Sequence, residues 1–184
     1  MIRGLVIINR LLGSVLGAAV ALVALPATAA TTTGTAKAVI VKNLSFFDVE
    51  DLEFGAFLSG ATAGTVVVTP ANVRTATGGV TLVGGPISQP ARFAGKGTIN
   101  QLVAISMQST PTTITRVGGT QTMIVETYVI GSTPTAVLTT VPTNFRITGV
   151  AGIFNFPIGA TLRVNANQTP GDYVGTFSVT LNYL

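Results

Sequence analysis

The amino-acid sequence predicts an all-β fold, most simply a β-sandwich, and three observations carry this prediction. Short runs rich in Val, Ile, Thr and aromatic residues recur about every 8 to 12 residues, and Gly and Pro separate the runs. Beyond residue 29, no segment shows the apolar repeat of about 3.6 residues that marks an amphipathic helix. An up-and-down barrel is the competing architecture, but the turns are spaced too irregularly for equal hairpins.

The clearest predicted strand is the C-terminal one, residues 173–183. Its odd positions are Tyr, Gly, Phe, Val, Leu and Tyr and its even positions are Val, Thr, Ser, Thr and Asn, so one face is predicted to be buried. Residues 37–46 are apolar on both faces, as in a strand buried on two sides. Residues 131–142 are rich in Thr and Pro and predict a loop or an edge strand. The remaining predicted strands are residues 52–54, 65–69, 80–83, 91–94, 98–107, 112–117, 122–130, 145–150 and 158–164.

The first 29 residues have the organisation of a secretory signal peptide. Arg3 and Arg10 lie within or beside the start of an apolar stretch, and the segment ends in Ala27-Thr28-Ala29. The apolar run of about 15 residues is shorter than the roughly 20 that a membrane-spanning helix needs, so an uncleaved anchor is the less favoured alternative. We therefore expect export, cleavage after Ala29 and no stable membrane span afterwards.

The composition of the remaining chain excludes several classes of function. Loss of two Arg with the signal leaves eight basic and six acidic residues, and the basic ones are scattered without the run that a nucleic-acid interface needs. The chain has no Cys and no His, so a disulfide, the usual general base, a thiol nucleophile and the usual zinc ligands are all missing. We expect no enzymatic activity, no cofactor and no metal.

Four of the six acids cluster in residues 48–53. In an extended chain Asp48 and Glu50 would share one face and Asp51 and Glu53 the other, so the four carboxylates would not form a single cup. The favoured interpretation is a solvated turn. A calcium site and a carboxylate pair of the kind used in glycoside hydrolysis remain as alternatives.

Both ends of the secreted chain resemble subunits of chaperone–usher pili. The segment GDYVGTFSVTLNY, residues 171–183, has the Gly-x-Tyr start, the alternating apolar residues and the terminal aromatic residue of their last strand. The segments LEFG (52–55), GTVVV (64–68) and FPIGATL (156–162) more closely resemble an uncharacterised pilin-like domain family related to the spore-coat-U and Csu-type pilins. The resemblance covers about residues 39–183. Many pilins of this group contain a disulfide, whereas this chain has no Cys.

This resemblance implies an immunoglobulin-like, pilin-type β-sandwich that is incomplete because its last strand is missing. A groove beside the C-terminal strand would be filled first by a periplasmic chaperone and then, at the outer-membrane usher, by the N-terminal segment of the next subunit. Such strand donation is β-augmentation, and it covers an edge that would otherwise aggregate. The resemblance thus implies an adhesive pilus or fimbria, a homopolymer exported through the periplasm to the cell surface.

On this basis the chain divides into a signal peptide (1–29), an N-terminal extension that is the candidate donor strand (30–44) and a pilin-like β-sandwich domain (45–184). The predicted donor residues are Ala38, Val39, Ile40 and Val41, and either alternate pair could insert because both faces are apolar. The predicted acceptor groove is formed by Tyr173, Phe177, Val179, Leu181 and Tyr183.

Three alternatives remain open at this point. Residues 37–46 could be the first strand of their own domain, which would leave no free donor. The protein could be a monomeric secreted binding or coat-matrix module with a complete sandwich. A hydrolase that uses the acids of residues 48–53 is the most distant possibility.

Overall fold

The computed structural model describes residues 35–132 and 135–184. The predicted signal peptide lies outside the described residues, as do residues 30–34 of the predicted N-terminal extension. Contacts divide the chain into two units, Met1–Ala38 and Val39–Leu184. The first unit is described only over residues 35–38, which are exposed, and all the strands belong to the second.

The described part of the chain contains twelve β-strands, one short 3₁₀ turn (Val150–Gly152) and no α-helix. This confirms the all-β fold class. The strands are β1 (Ser45–Glu50), β2 (Phe57–Val68), β3 (Arg74–Leu82), β4 (Ala91–Lys96), β5 (Leu102–Met107), β6 (Thr112–Arg116), β7 (Thr122–Ile130), β8 (Ala136–Val137), β9 (Thr143–Arg146), β10 (Ile153–Val164), β11 (Tyr173–Val174) and β12 (Val179–Tyr183).

The strands form two antiparallel sheets, as expected for a β-sandwich. The larger sheet has nine strands, with the path β1-β4-β10-β7-β6-β11, a β2–β3 hairpin on β10 and the short β8 on β7. The smaller sheet has the order β12-β5-β9. Each sheet therefore ends in strands with one unpaired side, and these edges decide where another chain could add.

Strand β10 is the centre of the larger sheet, because β4 and then β2 pair along one of its sides and β7 along the other. Its even-numbered residues from Phe154 to Val164 are buried against the smaller sheet, where Val103, Ile105 and Met107 of β5 are buried in turn. This regular alternation over twelve residues gives the sandwich its core.

Pro157 lies inside β10, although a proline usually limits a strand to an edge. The sequence predicted this strand only from residue 158 onward. The carbonyl of Pro157 accepts a hydrogen bond from the Gly131 N–H at 2.8 Å, just beyond the end of β7. The missing N–H of Pro157 points to the same side, where the ladder with β7 begins only at Ile158. The ladder with β7 therefore ends at Pro157, which accepts a hydrogen bond from Gly131 but cannot donate one in return.

The long β2–β3 hairpin extends well beyond the two short strands predicted at residues 65–69 and 80–83. Its added part is rich in Gly, Ala and Thr and has no apolar alternation, so no periodic signal predicted a strand there. Gly78 has a φ of +65°, and a Cβ on it would lie 2.3 Å from the carbonyl oxygen of Ala63. The backbones of β2 and β3 therefore lie in close contact where the register is irregular, between Ser59 and Gly64, and a side chain at Gly78 would not fit there.

Two strands predicted near the start of the domain differ from the structure. The N-terminal one was placed at residues 37–46, but β1 begins only at Ser45. The strand predicted at 52–54 is reduced to an isolated bridge between Glu53 and Gln89.

The predicted C-terminal strand is split into β11, which pairs with β6 of the larger sheet, and β12, which pairs with β5 of the smaller sheet. Residues 175–178 connect the two strands outside any ladder. The break falls at Gly175, where a Cβ would lie 2.6 Å from the carbonyl oxygen of Thr113. The chain passes β6 at this close contact and then crosses to the other sheet.

Candidate functional site

Strand β12 forms one edge of the smaller sheet. It pairs with β5 on one side, and no strand of the described chain pairs with its other side. Val179, Leu181 and Tyr183 pack against the core but are only half-buried, and the two residues between them are exposed. Because the outer side of β12 is uncovered, its inward-facing apolar side chains remain partly accessible.

Strand β1 is an edge of the larger sheet, with β4 as its partner in the described chain. Leu44, just before it, and Phe46 within it are half-buried against the core. The Phe46 ring stacks on Phe93 of β4 with their centroids 5.3 Å apart. Phe93 in turn meets Phe177 edge-on at 6.0 Å, so an aromatic chain connects the β1 edge to the segment that leads into β12.

We call the apolar space between these two free edges the edge cleft. Its lining side chains are all partly buried and pack against the core: Leu44, Phe46, Phe93, Phe177, Val179, Leu181 and Tyr183. At the Phe177 end the cleft opens into a cavity of about 420 Å³ between residues 48–54 and 173–177. The cleft is therefore apolar, elongated and accessible at a place where two sheet edges are unpaired.

The floor of this cavity includes the buried Tyr128, whose ring lies 5.1 Å from that of Phe177. Its hydroxyl is hydrogen-bonded to the hydroxyl of Thr112. Burial raises the pKa of Tyr128, and the hydrogen bond to Thr112 opposes that rise. Tyr128 is thus a neutral, satisfied part of the cavity wall.

The Tyr183 hydroxyl closes the opposite end of the edge cleft. It donates to the carbonyl oxygen of Lys42 at 2.9 Å and accepts from the Thr98 N–H at 2.8 Å. The Lys42 N–H donates to the Thr98 Oγ1 at 2.6 Å. We call this the closed end. The chain that leads into β1 is fixed here, beside the last residues of β12.

The other end, next to the cavity, is acidic, and we call it the open end. Asp48 and Asp51 line the cavity, and their side chains are hydrogen-bonded to each other. Desolvation, followed by the charge of Asp51 and this hydrogen bond, raises the pKa of Asp48. Glu53 also lines the cavity, whereas Glu50 forms an ion pair with Arg92 at 2.7 Å.

The contact between Asp48 and Asp51 corrects the prediction that they lie on opposite faces of an extended strand. The register of β1 on β4 is irregular between Asp48 and Glu50, and β1 ends at Glu50. An irregular register of this kind breaks the alternation of faces. Within the described residues, no group of three or more acids is placed to hold a metal ion.

The structure places the predicted donor residues before β1 and outside both sheets. The exposed fraction is 81% for Val39, 95% for Ile40 and 39% for Val41, and Ala38 is also exposed. These residues are not in a strand, so the alternative in which they form the first strand of their own domain is wrong. Both alternate pairs, Ala38 with Ile40 and Val39 with Val41, are exposed.

The predicted acceptor residues lie in three different segments. Val179, Leu181 and Tyr183 belong to β12, Phe177 lies in the connecting segment, and Tyr173 lies in β11 of the other sheet. The Tyr173 hydroxyl donates to the Thr169 carbonyl oxygen at 2.7 Å, which holds the turn before β11. All five pack against one core, and Tyr173 and Phe177 both line the cavity.

Sequence reasoning missed the opposite wall of the edge cleft, formed by Leu44, Phe46 and Phe93. A signal existed, since Phe46 ends the apolar N-terminal run and Phe93 lies in a predicted strand. Phe46 and Phe93 come together only because β1 pairs with β4. The spacing of apolar residues shows which face of a strand is buried, but it does not show which strands pair.

Comparisons with known proteins add a family but no activity. In the described part of the chain, no helix is long and apolar enough to cross a membrane. A search of curated proteins and a search of solved structures each found no significant match. One family model matches residues 44–183, a range that includes all twelve strands, and its description is a domain of unknown function. This chain therefore belongs to the DUF4402 family.

Proposed function

We propose that this protein is a structural subunit of a pilus-like surface filament and that it polymerises head to tail by donor-strand complementation. In this proposal the N-terminal segment of one copy enters the edge cleft of the next and pairs with the free side of β12. The partners before assembly are a periplasmic chaperone and an outer-membrane usher, as the resemblance to pilin subunits implies. The filament is exported through the periplasm to the cell surface.

The observation that carries the proposal is the pair of unpaired edges, β1 and β12, on the two sides of one apolar cleft. An added strand could hydrogen-bond along β12, while its alternate side chains fill the cleft from above. Each apolar side chain that becomes buried in this way contributes about 1.5–3 kcal/mol. Two inserted Val residues and the new backbone hydrogen bonds would therefore give a stable junction.

The exposed N-terminal run supplies the complementary part. Residues 38–41 are Ala-Val-Ile-Val, and three of the four are β-branched residues that favour a strand. A run of this kind is costly to leave exposed in a monomer, and it is suited to a strand that another copy binds. No charged residue lies within it, and Lys37 and Lys42 flank it.

The test is the deletion of residues 30–41 from the full-length chain, followed by electron microscopy of material sheared from cells that export it. The wild-type chain should give filaments and, in detergent gels without heating, oligomer ladders that collapse only near boiling. The deletion variant should still be exported, but it should form neither filaments nor oligomer ladders. Filaments of normal length from the deletion variant would rule out the proposal.

The deletion variant can accept a strand but cannot donate one, so it can occupy only one end of a filament. Co-expression with the wild-type chain should therefore shorten the filaments in proportion to the amount of the variant. A matched pair on the acceptor side is Leu181→Asp, which faces the cleft, and Thr180→Asp, which is exposed on the same strand. Only Leu181→Asp should prevent assembly.

The cavity of about 420 Å³ favours a second candidate, a monomeric secreted binding or coat-matrix module, because its size is that of a small-ligand site. This function predicts a single monomer band in unheated detergent gels and an unchanged band after deletion of residues 30–41. The donor-strand proposal predicts the opposite result in both experiments.

A further inference from the structure

Basic side chains cluster at the closed end of the edge cleft and acidic side chains at the open end, where Arg92 is paired with Glu50. Lys96 is the last residue of β4 and pairs with Ser45, at the start of β1. Asp48 and Glu50 are further along β1, and Asp51 follows it. Three residues of extended chain, about 10 Å, separate Ser45 from Asp48, so the basic group lies beside the start of β1 and the acidic group around its end.

The basic group lies at the closed end and is formed by Lys42, Lys96 and Arg146, all three exposed. Lys42 is hydrogen-bonded through its backbone to Thr98, and the Arg146 guanidinium donates to the Asn100 carbonyl oxygen. The three side chains are thus arranged around the turn of residues 96–101. All six acids of the chain lie elsewhere: Asp48, Glu50, Asp51, Glu53, Glu126 and Asp172.

The closed end also exposes apolar side chains around the same turn. The exposed fraction is 90% for Val150 and 58% for Ile153, and Ile99 and Leu184 are exposed as well. Ile153 pairs with Lys96, and the Gly152 carbonyl oxygen accepts from the Gly97 N–H, so this patch adjoins the basic group. Exposed apolar side chains with a charged rim are typical of a protein interface.

The open end has the complementary surface. Asp48, Asp51 and Glu53 are exposed around the cavity. Ile87 is exposed close to the bridge that joins Glu53 to Gln89. The closed end of a second copy of this chain has the matching basic and apolar face.

We infer that the basic closed end of one copy docks on the acidic open end of the next. This inference rests on the proposed function and sets the direction of the strand in the cleft. The outgoing segment of each copy is fixed at the closed end through Lys42, so in a head-to-tail polymer the incoming copy must attach at the open end. Its donor strand then runs antiparallel to β12, and its Lys42 reaches Asp48, Asp51 and Glu53.

The charges guide the approach before the strand has entered. Complementary charges mainly accelerate association, and salt screens them with a Debye length of about 8 Å at physiological ionic strength. Insertion of the apolar residues then holds the junction. The end-to-end contact therefore selects the correct end of the cleft, while the donor strand supplies most of the stability.

The test is a charge exchange in the full-length chain, with assembly followed by light scattering after refolding from urea. Lys96→Glu and Asp51→Lys should each slow elongation about tenfold at low salt, because each places like charges at the junction. The double variant, with both changes in one chain, should recover most of the rate, since every junction then has an opposite pair again. Arg163→Glu, which makes the same change in charge as Lys96→Glu within β10 and breaks an ion pair with Glu126, is the control for net charge.

A peptide of residues 30–41 separates the failure of this inference from that of the proposed function. It lacks Lys42 and the docking domain, so its binding to the deletion variant should be the same with and without Lys96→Glu. If the peptide binds and the charge exchange has no effect on the elongation rate, the end-to-end contact is wrong and strand donation stands. If the peptide does not bind, both are wrong.

A slower rate for the double variant than for either single variant would also contradict the inference. The same holds if vesicles of anionic lipid bind the wild-type chain, Lys96→Glu abolishes that binding and elongation is unchanged. The basic end would then be a membrane-facing surface.

Discussion

Tyr183 connects the beginning of the domain to its last strand through one hydroxyl group, which makes a hydrogen bond to each of Lys42 and Thr98. Tyr183→Phe keeps the ring in the edge cleft and leaves both backbone groups without this partner. Each such loss costs about 0.5–1.5 kcal/mol. We expect the free energy of unfolding in urea to fall by about 1–2 kcal/mol.

The same variant should expose the chain around Lys42 to trypsin, because the segment before β1 loses one of its two fixed points. Thr180→Ala, on the exposed face of the same strand, is the control and should change neither measurement. Equal trypsin cleavage of the wild-type and Tyr183→Phe chains would show that the hydroxyl does not fix this segment.

Asp48 gives a prediction about pH. Desolvation and the nearby Asp51 raise its folded pKa above the usual 3.8, so its charged form is less favourable in the folded protein than in the unfolded chain. This penalty is absent below pH 3.8 and develops as the pH rises through the folded pKa. Asp48→Asn should therefore stabilise the protein at pH 7.

The gain should be below about 1 kcal/mol, since Asp48 is exposed and solvent screens its charge. Urea unfolding of the wild-type and Asp48→Asn proteins at pH 7 and at pH 3.5 measures this gain. The two free energies of unfolding should be nearly equal at pH 3.5. A difference that is larger at pH 3.5 than at pH 7 would contradict the assigned cause.

At the scale of the strands, β10 and β12 differ in how completely their side chains are covered. Leu162 in β10 is 1% exposed, whereas Leu181 in β12 is half-buried beside an unpaired edge. We expect Leu162→Ala to cost about 2–5 kcal/mol, as for a fully buried Leu, and Leu181→Ala to cost about 1 kcal/mol in the unassembled deletion variant.

Addition of the peptide of residues 30–41 should increase the cost of Leu181→Ala and leave that of Leu162→Ala unchanged, because a bound strand covers only Leu181. Urea unfolding of each variant with and without the peptide measures the effect. If the peptide binds and the cost of Leu181→Ala does not change, the peptide binds outside the edge cleft.

The strands also show what could be predicted from the sequence. Residues 122–130 and the C-terminal alternation were recognised because the spacing of apolar residues reflects which face is buried. The first half of β2 was missed because its close backbone contacts require Gly, which carries no periodic signal. The chain crosses from one sheet to the other at Gly175, and this crossing was missed. Apolar residues continue to alternate with polar ones through the whole terminal segment, although β11 and β12 pair in different sheets.

For the site, the sequence supplied β12 and the apolar N-terminal run, but it indicated burial of that run and only one wall of the edge cleft. The other wall depends on long-range pairing, since Phe46 and Phe93 are far apart in the sequence and meet only because β1 pairs with β4. The contact between Asp48 and Asp51 depends on an irregular register, which alternation by itself predicts incorrectly.

At the scale of the whole molecule, β10 is paired on both sides, whereas β12 leaves one side unpaired in the described chain. A ligand that binds only the folded state stabilises it in proportion to the logarithm of its concentration, by about 2.7 kcal/mol at one hundred times its dissociation constant. The peptide of residues 30–41 should therefore raise the melting temperature of the deletion variant by roughly 5–10 °C.

Differential scanning calorimetry measures this shift, and a peptide with Val39→Asp, Ile40→Asp and Val41→Asp is the control. Both alternate faces of the control are charged, so it should give no shift whichever face inserts. Equal shifts with the two peptides would contradict strand donation, and no shift with the first would do so as well.

The attachment of Lys42 beside Tyr183 has a mechanical consequence for a filament built in this way. Tension would enter each domain at the closed end, through its own outgoing segment, and leave at the open end, through the strand of the next copy. The load would then act along β12, parallel to both strands, so that the hydrogen bonds between them share the force and must break together. A filament of such junctions resists pulling far better than one whose strands are peeled apart from one end.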